Sequence, residues 1–239
     1  MPLYIALLGI EAYGLIGVFA VLQAWLALLD LGLALALNRE MARFTAGVHT
    51  AQGIRDLLRS VEAVAGALGI VVAVLVSACA PWLASNWLNA GTLAARDVEQ
   101  ALHLMGLIVA CRLLEGVFHG AMLGLQRQVR LSAAAALLAT FRWGGAALAL
   151  LWGHASVQVF FGWQAFASLI AVLVYAVLLY RELPQGPRGG QFQMAALRAL
   201  WPFAAGVIVT TLLGLMLTQL DKLVLSRELS LEAFGYYAL

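Results

Sequence analysis

Six apolar runs, each long enough to cross a bilayer, dominate this sequence. They lie at about residues 12–37, 61–83, 102–125, 132–152, 158–180 and 201–223, and about 20 apolar residues suffice for one helical span. In hydrocarbon every backbone polar group must be satisfied within the protein, which leaves helices or closed barrels. Barrel strands need segments of about 10 residues in strict alternation, and the runs show none. Of the 239 residues, 64% are hydrophobic and 11% charged, with a mean hydropathy of +0.93. An ordinary soluble domain carries about 25% charged residues, so a soluble fold would have nothing to cover its surface. Water-soluble enzymes, disordered chains and nucleic-acid-binding domains are thereby excluded. The expected fold is all-α, a polytopic transmembrane helix bundle.

The charges orient the bundle. Arg39, Arg43, Arg55 and Arg59 fall in the loop at 38–60, Arg127 and Arg130 in the turn at 126–131, and Arg181, Arg188 and Arg198 in the linker at 181–200. The intervening loops hold only Arg96. Positive residues mark the cytoplasmic side, which places these three segments there. The linker contains the one Pro/Gly-rich polar stretch, Arg181-Glu-Leu-Pro-Gln-Gly-Pro-Arg-Gly-Gly190. It reads either as a boundary between two bundles or as an ordinary loop.

A short internal repeat favours the boundary. Gly9-Ile-Glu-Ala-Tyr-Gly14 is echoed by Ser230-Leu-Glu-Ala-Phe-Gly235, an offset of 221 residues. Applied to the run at 201–223, that offset predicts a span ending near residue 2, of which Met1–Leu8 would be the remnant. The expected organisation is one six-helix lobe over residues 1–180 with its first helix truncated, a cytoplasmic linker over 181–200, and the start of a second lobe over 201–239. Doubling the repeat suggests a protein of roughly 440 residues.

Ionisable residues inside spans are costly and usually face a bundle interior or a wet cavity. Arg112, Glu115 and His119 recur at i, i+3 and i+7, with Gln126 at i+14, and so share one helical stripe. The stripe suits either a neutralised network between helices or a lumen for an anionic head group. Beside it, Gly116, Gly120 and Gly124 predict close approach of another helix. Asp30 lies with Gln23 and Asn38 on one side of its span and is a candidate for ion coupling or for pairing with an arginine. Arg142 has no acid within a turn of its own helix and needs a partner elsewhere, with Asp30 and Glu115 as candidates. Asp221 and Lys222 close the last run and suit an interface. Among the deeper tryptophans, Trp25, Trp143 and Trp163, a sugar platform is the less favoured reading. Arg39, Glu40 and Arg43, with Arg127, read either as positive-inside anchors or as a cytoplasmic gate. Cys79 and Cys111 read as buried free thiols. No phosphate-binding glycine loop, zinc-protease motif or serine-nucleophile motif occurs; no cofactor or metal is expected, and the chain does not read as an enzyme.

Leu7-Leu-Gly-Ile-Glu-Ala-Tyr-Gly14, Leu29-Asp-Leu-Gly32, Asn38-Arg-Glu-Met-Ala-Arg43, Gly124-Leu-Gln-Arg127 and Gln219-Leu-Asp-Lys222 together resemble polysaccharide biosynthesis proteins of the O-antigen flippase type. These belong to the multidrug/oligosaccharidyl-lipid/polysaccharide exporter superfamily. The resemblance covers essentially the whole chain. It implies two facing six-helix lobes around a cationic lumen that moves an undecaprenyl-pyrophosphate-linked oligosaccharide across the bacterial inner membrane by alternating access. Its implied partners are that lipid-linked oligosaccharide, membrane lipid and other polysaccharide assembly proteins, with no nucleic acid. On this reading Arg112 and Arg142 attract the pyrophosphate, and Glu115, His119 and Asp30 tune the field or couple to ions. Two departures stand out: most of the first helix and of the second lobe are absent, and acids share the lumen with the arginines. One lobe alone is expected not to transport. The alternatives are a cation-coupled drug exporter of the same superfamily, which needs acids to dominate the cavity, and a non-transporting membrane scaffold. A glycan ligase would need a larger outer loop than 84–101.

Overall fold

Helix α1 (Pro2–Leu8) ends at Gly9, whose φ of 85° turns the chain directly into α2 (Ile10–Leu26). A positive φ carries no Cβ penalty in glycine. The computed structural model describes residues 2–26, 32–88, 93–152 and 155–237. The run at 12–37, expected as one span, is divided. α2 is described to Leu26 and α3 (Leu33–Thr45) starts after Gly32, whose φ of 64° is left-handed and incompatible with a continuous helix. Asp30 lies outside the described residues.

The next helices are long. α4 (Ala51–Trp82) starts where the Thr50 side chain caps the Gly53 amide, and a π turn over Leu83–Trp87 follows it. α5 (Ala95–Gly124), α6 (Gln128–Trp152) and α7 (Val157–Glu182) follow, with Ser156 capping α7 through the Val159 amide. α8 (Met194–Glu228) and α9 (Leu231–Tyr237) complete the order. Among the described residues five segments are long and apolar enough to cross a membrane: Ala51–Trp87, α5, α6, α7 and Met194–Gly214; Ile10–Ala24 is a shorter apolar helix. This is an all-α, multi-pass membrane bundle. Large apolar side chains such as Ile70, Val74, Leu137, Leu173 and Leu217 point outward, a surface that suits lipid and not water. Within α8, Thr210, Thr211 and Thr218 return their hydroxyls to the carbonyls of Gly206, Val207 and Gly214. That bonding satisfies polar groups that lipid would leave bare.

The interior is split into two apolar cores. One gathers Leu37, Met41, Ile54, Leu58, Val117, Met122 and Leu179. The other gathers Leu15, Leu102, Met105, Ile108, Phe160 and Phe161. Between them α5, α6 and α7 present Arg112, Glu115, Arg142 and Ser168 as a polar waist. Cys111 is buried as expected, whereas Cys79 is exposed on the outward face of α4.

Two close crossings shape the bundle. A Cβ on Gly120 or Gly124 would strike the carbonyl of Ala34 or Asn38, so α3 lies backbone to backbone on α5. Gly116 has open space instead. The second crossing joins the two repeat copies. Gly14 abuts the Leu231 carbonyl, and Gly235 abuts the Ile10 carbonyl. Since Gly14 matches Gly235 and Ile10 matches Leu231 across the repeat, the contact is reciprocal, as in a two-fold pairing.

The linker lies against the N-terminal part of α4. Asp56, 2% exposed, accepts from Gln52 Nε2 (2.8 Å), Gln191 N (2.8 Å), Gln193 Nε2 (2.7 Å) and Arg188 Nη2 (3.3 Å). The Gln193 amide also donates to Ser60 Oγ at 2.7 Å, and Arg55 donates to the Pro184 carbonyl. A buried carboxylate is tolerable when donors satisfy it, and this one ties residues 184–193 down.

Candidate functional site

The waist is built by three helices. Glu115 on α5 receives Arg112 Nη1 from one turn earlier (3.1 Å) and Arg142 Nη2 from α6 (2.9 Å). Arg142 also donates to Ser168 Oγ of α7 at 3.3 Å. Arg142 therefore finds Glu115 as the partner its own helix lacks. Its side chain is 8% exposed, against 37% for Arg112. Two guanidiniums share one carboxylate, so the triad carries one surplus positive charge. The Nε–H groups of Arg112 and Arg142 are buried without a partner among the described residues.

Arg112 and Glu115 line a cavity of about 440 Å³ with Asn38, Gly116, His119 and Tyr175. The open space at Gly116 belongs to this cavity. His119 is exposed at its edge and stands edge-on to Tyr175, the ring centres 6.3 Å apart. The predicted stripe thus holds for Arg112, Glu115 and His119. It does not extend to Gln126, because α5 ends at Gly124 and Gln126 takes a φ of 57° in the following turn. Gln126 is exposed there. Among the described residues no three His, Cys, Asp or Glu side chains converge as metal ligands would.

A second cavity, of about 560 Å³, is lined by Arg112 together with Gln23, Trp143, Gln164, Gln219, Lys222 and Tyr237. Asp221 and Lys222 do not end their helix, since α8 runs on to Glu228. Asp221 instead accepts the Tyr237 hydroxyl, and Lys222 reaches this cavity. Trp143 is half-exposed at the cavity wall, while Trp163 is packed over Gly145 and donates to the Phe141 carbonyl at 3.2 Å. The Trp25 side chain lies outside what is described.

The remaining candidates sit at the end of the bundle that carries the α3–α4 and α5–α6 turns. Glu40 is buried and bonded by Arg43 (3.0 Å) and His49 (2.7 Å), with Arg39 at 3.9 Å. Burial opposes its charge, but the bonds from His49 and Arg43 prevail and hold the carboxyl below its usual range. The Arg39 guanidinium lies over the Phe203 ring of α8, 5.1 Å from its centre. Arg127 pairs with Glu182 at 2.8 Å, and Arg130 pairs with the same carboxylate. The waist and this group are separate clusters.

Ser168, Gln164 and Tyr175 are the waist residues that sequence reasoning missed. A signal exists: in an otherwise apolar span they recur at i, i+4 and i+11, within about 40° of one face. Glu182 and His49 carry no comparable pattern, because their partners are set only by packing. No curated protein and no solved structure matches the chain. The family described as polysaccharide biosynthesis protein does match it, over residues 1–239. A multi-pass helical bundle with a charged waist therefore belongs, by sequence, to the polysaccharide biosynthesis protein family.

Proposed function

We propose that the chain acts in a flippase that carries an undecaprenyl-pyrophosphate-linked oligosaccharide across the bacterial inner membrane. Residues 1–180 form its first lobe, 181–200 its cytoplasmic linker and 201–239 the start of its second lobe. The observation that carries this reading is Arg112. It lines a cavity at the waist, and the acid paired with it among the described residues, Glu115, is also held by Arg142. An arginine in a membrane span costs about 2.5–3.5 kcal/mol on insertion scales. A pyrophosphate offsets that cost, since a guanidinium keeps its charge and bonds phosphate oxygens bidentately. Arg142 acts through Glu115, fixing the carboxylate so that Arg112 stays at the cavity wall. His119 and Asn38 supply further polar contacts at the rim. The lipid tail stays in the bilayer, and no bond is made or broken, so the activity is transport and not catalysis.

The drug-exporter reading needs acids to dominate the cavity, and the arginine at its wall weighs against it. The test is flipping of a fluorescent lipid-linked oligosaccharide in vesicles reconstituted with the full gene product. Arg112→Gln with Arg142→Gln should reduce flipping to the protein-free background. Unchanged rates would sink the lumen assignment and favour a scaffold.

A further inference from the structure

We infer that the second cavity is the subsite for the sugar next to the pyrophosphate, a hydroxyl-rich ligand, held by the carboxamides of Gln23, Gln164 and Gln219 against Trp143. The inference rests on the flippase reading and adds to it a division of the head group between two cavities. Three amides line this wall, one each from α2, α7 and α8. Each carboxamide offers donors and an acceptor together, which matches sugar hydroxyls, themselves donors and acceptors. A site built for an anion alone needs only donors, and one for a cation only acceptors.

Gln164 gives the independent sign that a ligand belongs here. It is 3% exposed, and its Nε2 is buried with no partner among the described residues. A buried donor left unsatisfied is destabilising, and a side-chain rotation into the cavity that Gln164 lines would bring it to a ligand hydroxyl. The half-exposed indole of Trp143 adds an apolar wall. Aromatic side chains of this kind offer a flat apolar face with a polar edge, as the alternating C–H and O–H faces of a pyranose require. At about 560 Å³ the space is within the range of about 300–1,000 Å³ common for small-molecule sites. Arg112 lines both cavities. A phosphate bound to it from one side therefore places its glycosidic neighbour in the other.

The test is equilibrium binding to the full gene product in lipid nanodiscs with two probes: undecaprenyl pyrophosphate alone, and the same lipid carrying a trisaccharide. The wild type should bind the glycosylated probe more tightly. Gln164→Leu should weaken that probe about tenfold, as expected where a site's polar group loses its hydroxyl partner, and should leave the bare lipid within about twofold. Gln219→Leu, on a more exposed helix and less disruptive to folding, should shift the same probe in the same direction. Equal affinity of the wild type for both probes overturns the subsite. So do variants that weaken both probes alike or neither. A wild type that binds neither probe overturns the flippase reading itself.

Discussion

Glu115 at the waist and Glu182 at the end of α7 each take two arginines and are equally buried, at 9% and 8%, but their arginines sit in different surroundings. Around Glu182 the arginines are half exposed or more, at 52% and 64% for Arg127 and Arg130. Water and salt screen the surplus charge there, so it costs little and calls for no ligand. Around Glu115 one arginine is closed off at 8% and the other is confined to a cavity wall between two apolar cores. The same charge surplus is then expensive, and the proposed pyrophosphate would offset it. Position in the bundle, and not the count of charges, separates the proposed binding cluster from the one at Glu182.

The largest effect should come from removing the shared acid. Glu115→Ala leaves Arg142 buried without a counter-ion, a loss of about 3–5 kcal/mol. Thermal unfolding in detergent should show it, and adding Arg142→Met should recover most of the loss. Glu182→Ala should cost under about 1 kcal/mol, because its partners turn to water. Next comes the crossing that holds α3 beneath the waist. Gly120→Leu forces a side chain into the Ala34 carbonyl, and overpacking of this kind costs about 1–3 kcal/mol or more. Gly116→Ala, facing open space, should be tolerated in stability, and the same unfolding assay compares the two.

Asp56→Asn should act locally. It keeps the shape but takes away two acceptor roles from four donors, at about 1–3 kcal/mol for those left unsatisfied. Proteolysis within 184–193 should accelerate while the bundle's melting temperature changes little. The smallest effect concerns pH at Glu40. Its carboxyl is depressed below the usual value of 4.5, so its contribution is complete above that value and is lost as pH falls through the folded-state one. Amide exchange at residues 46–50 should rise on acidification below about 4.5 in the wild type, and Glu40→Gln should flatten that rise.

Much of this was legible in the sequence. Five of the six apolar runs give uninterrupted helices, because twenty consecutive apolar residues leave few other solutions in a bilayer. The Arg112–Glu115–His119 stripe is set by helical spacing alone. The break at Gly32 was hidden because an apolar run masks its own interruptions, and only the glycine marked it. Gln126 was misplaced on the stripe by extending a helix past its end. The linker was harder still. Pro and Gly in 181–190 suggest a free connection, but the residue that ties it down, Asp56, is more than 120 positions earlier. The repeat announced two matching segments, and it did not announce that Gly14 and Gly235 lie against each other's helices.

The most direct test compares the two arginine pairs with one ligand. Binding of undecaprenyl pyrophosphate should be measured in nanodiscs for Arg112→Gln and Arg130→Gln. Binding should fall about tenfold or more for Arg112→Gln, the worth of a charge-assisted bidentate contact, and change within about twofold for Arg130→Gln. Equal losses in both variants, or full binding by Arg112→Gln, would contradict the pyrophosphate site at Arg112.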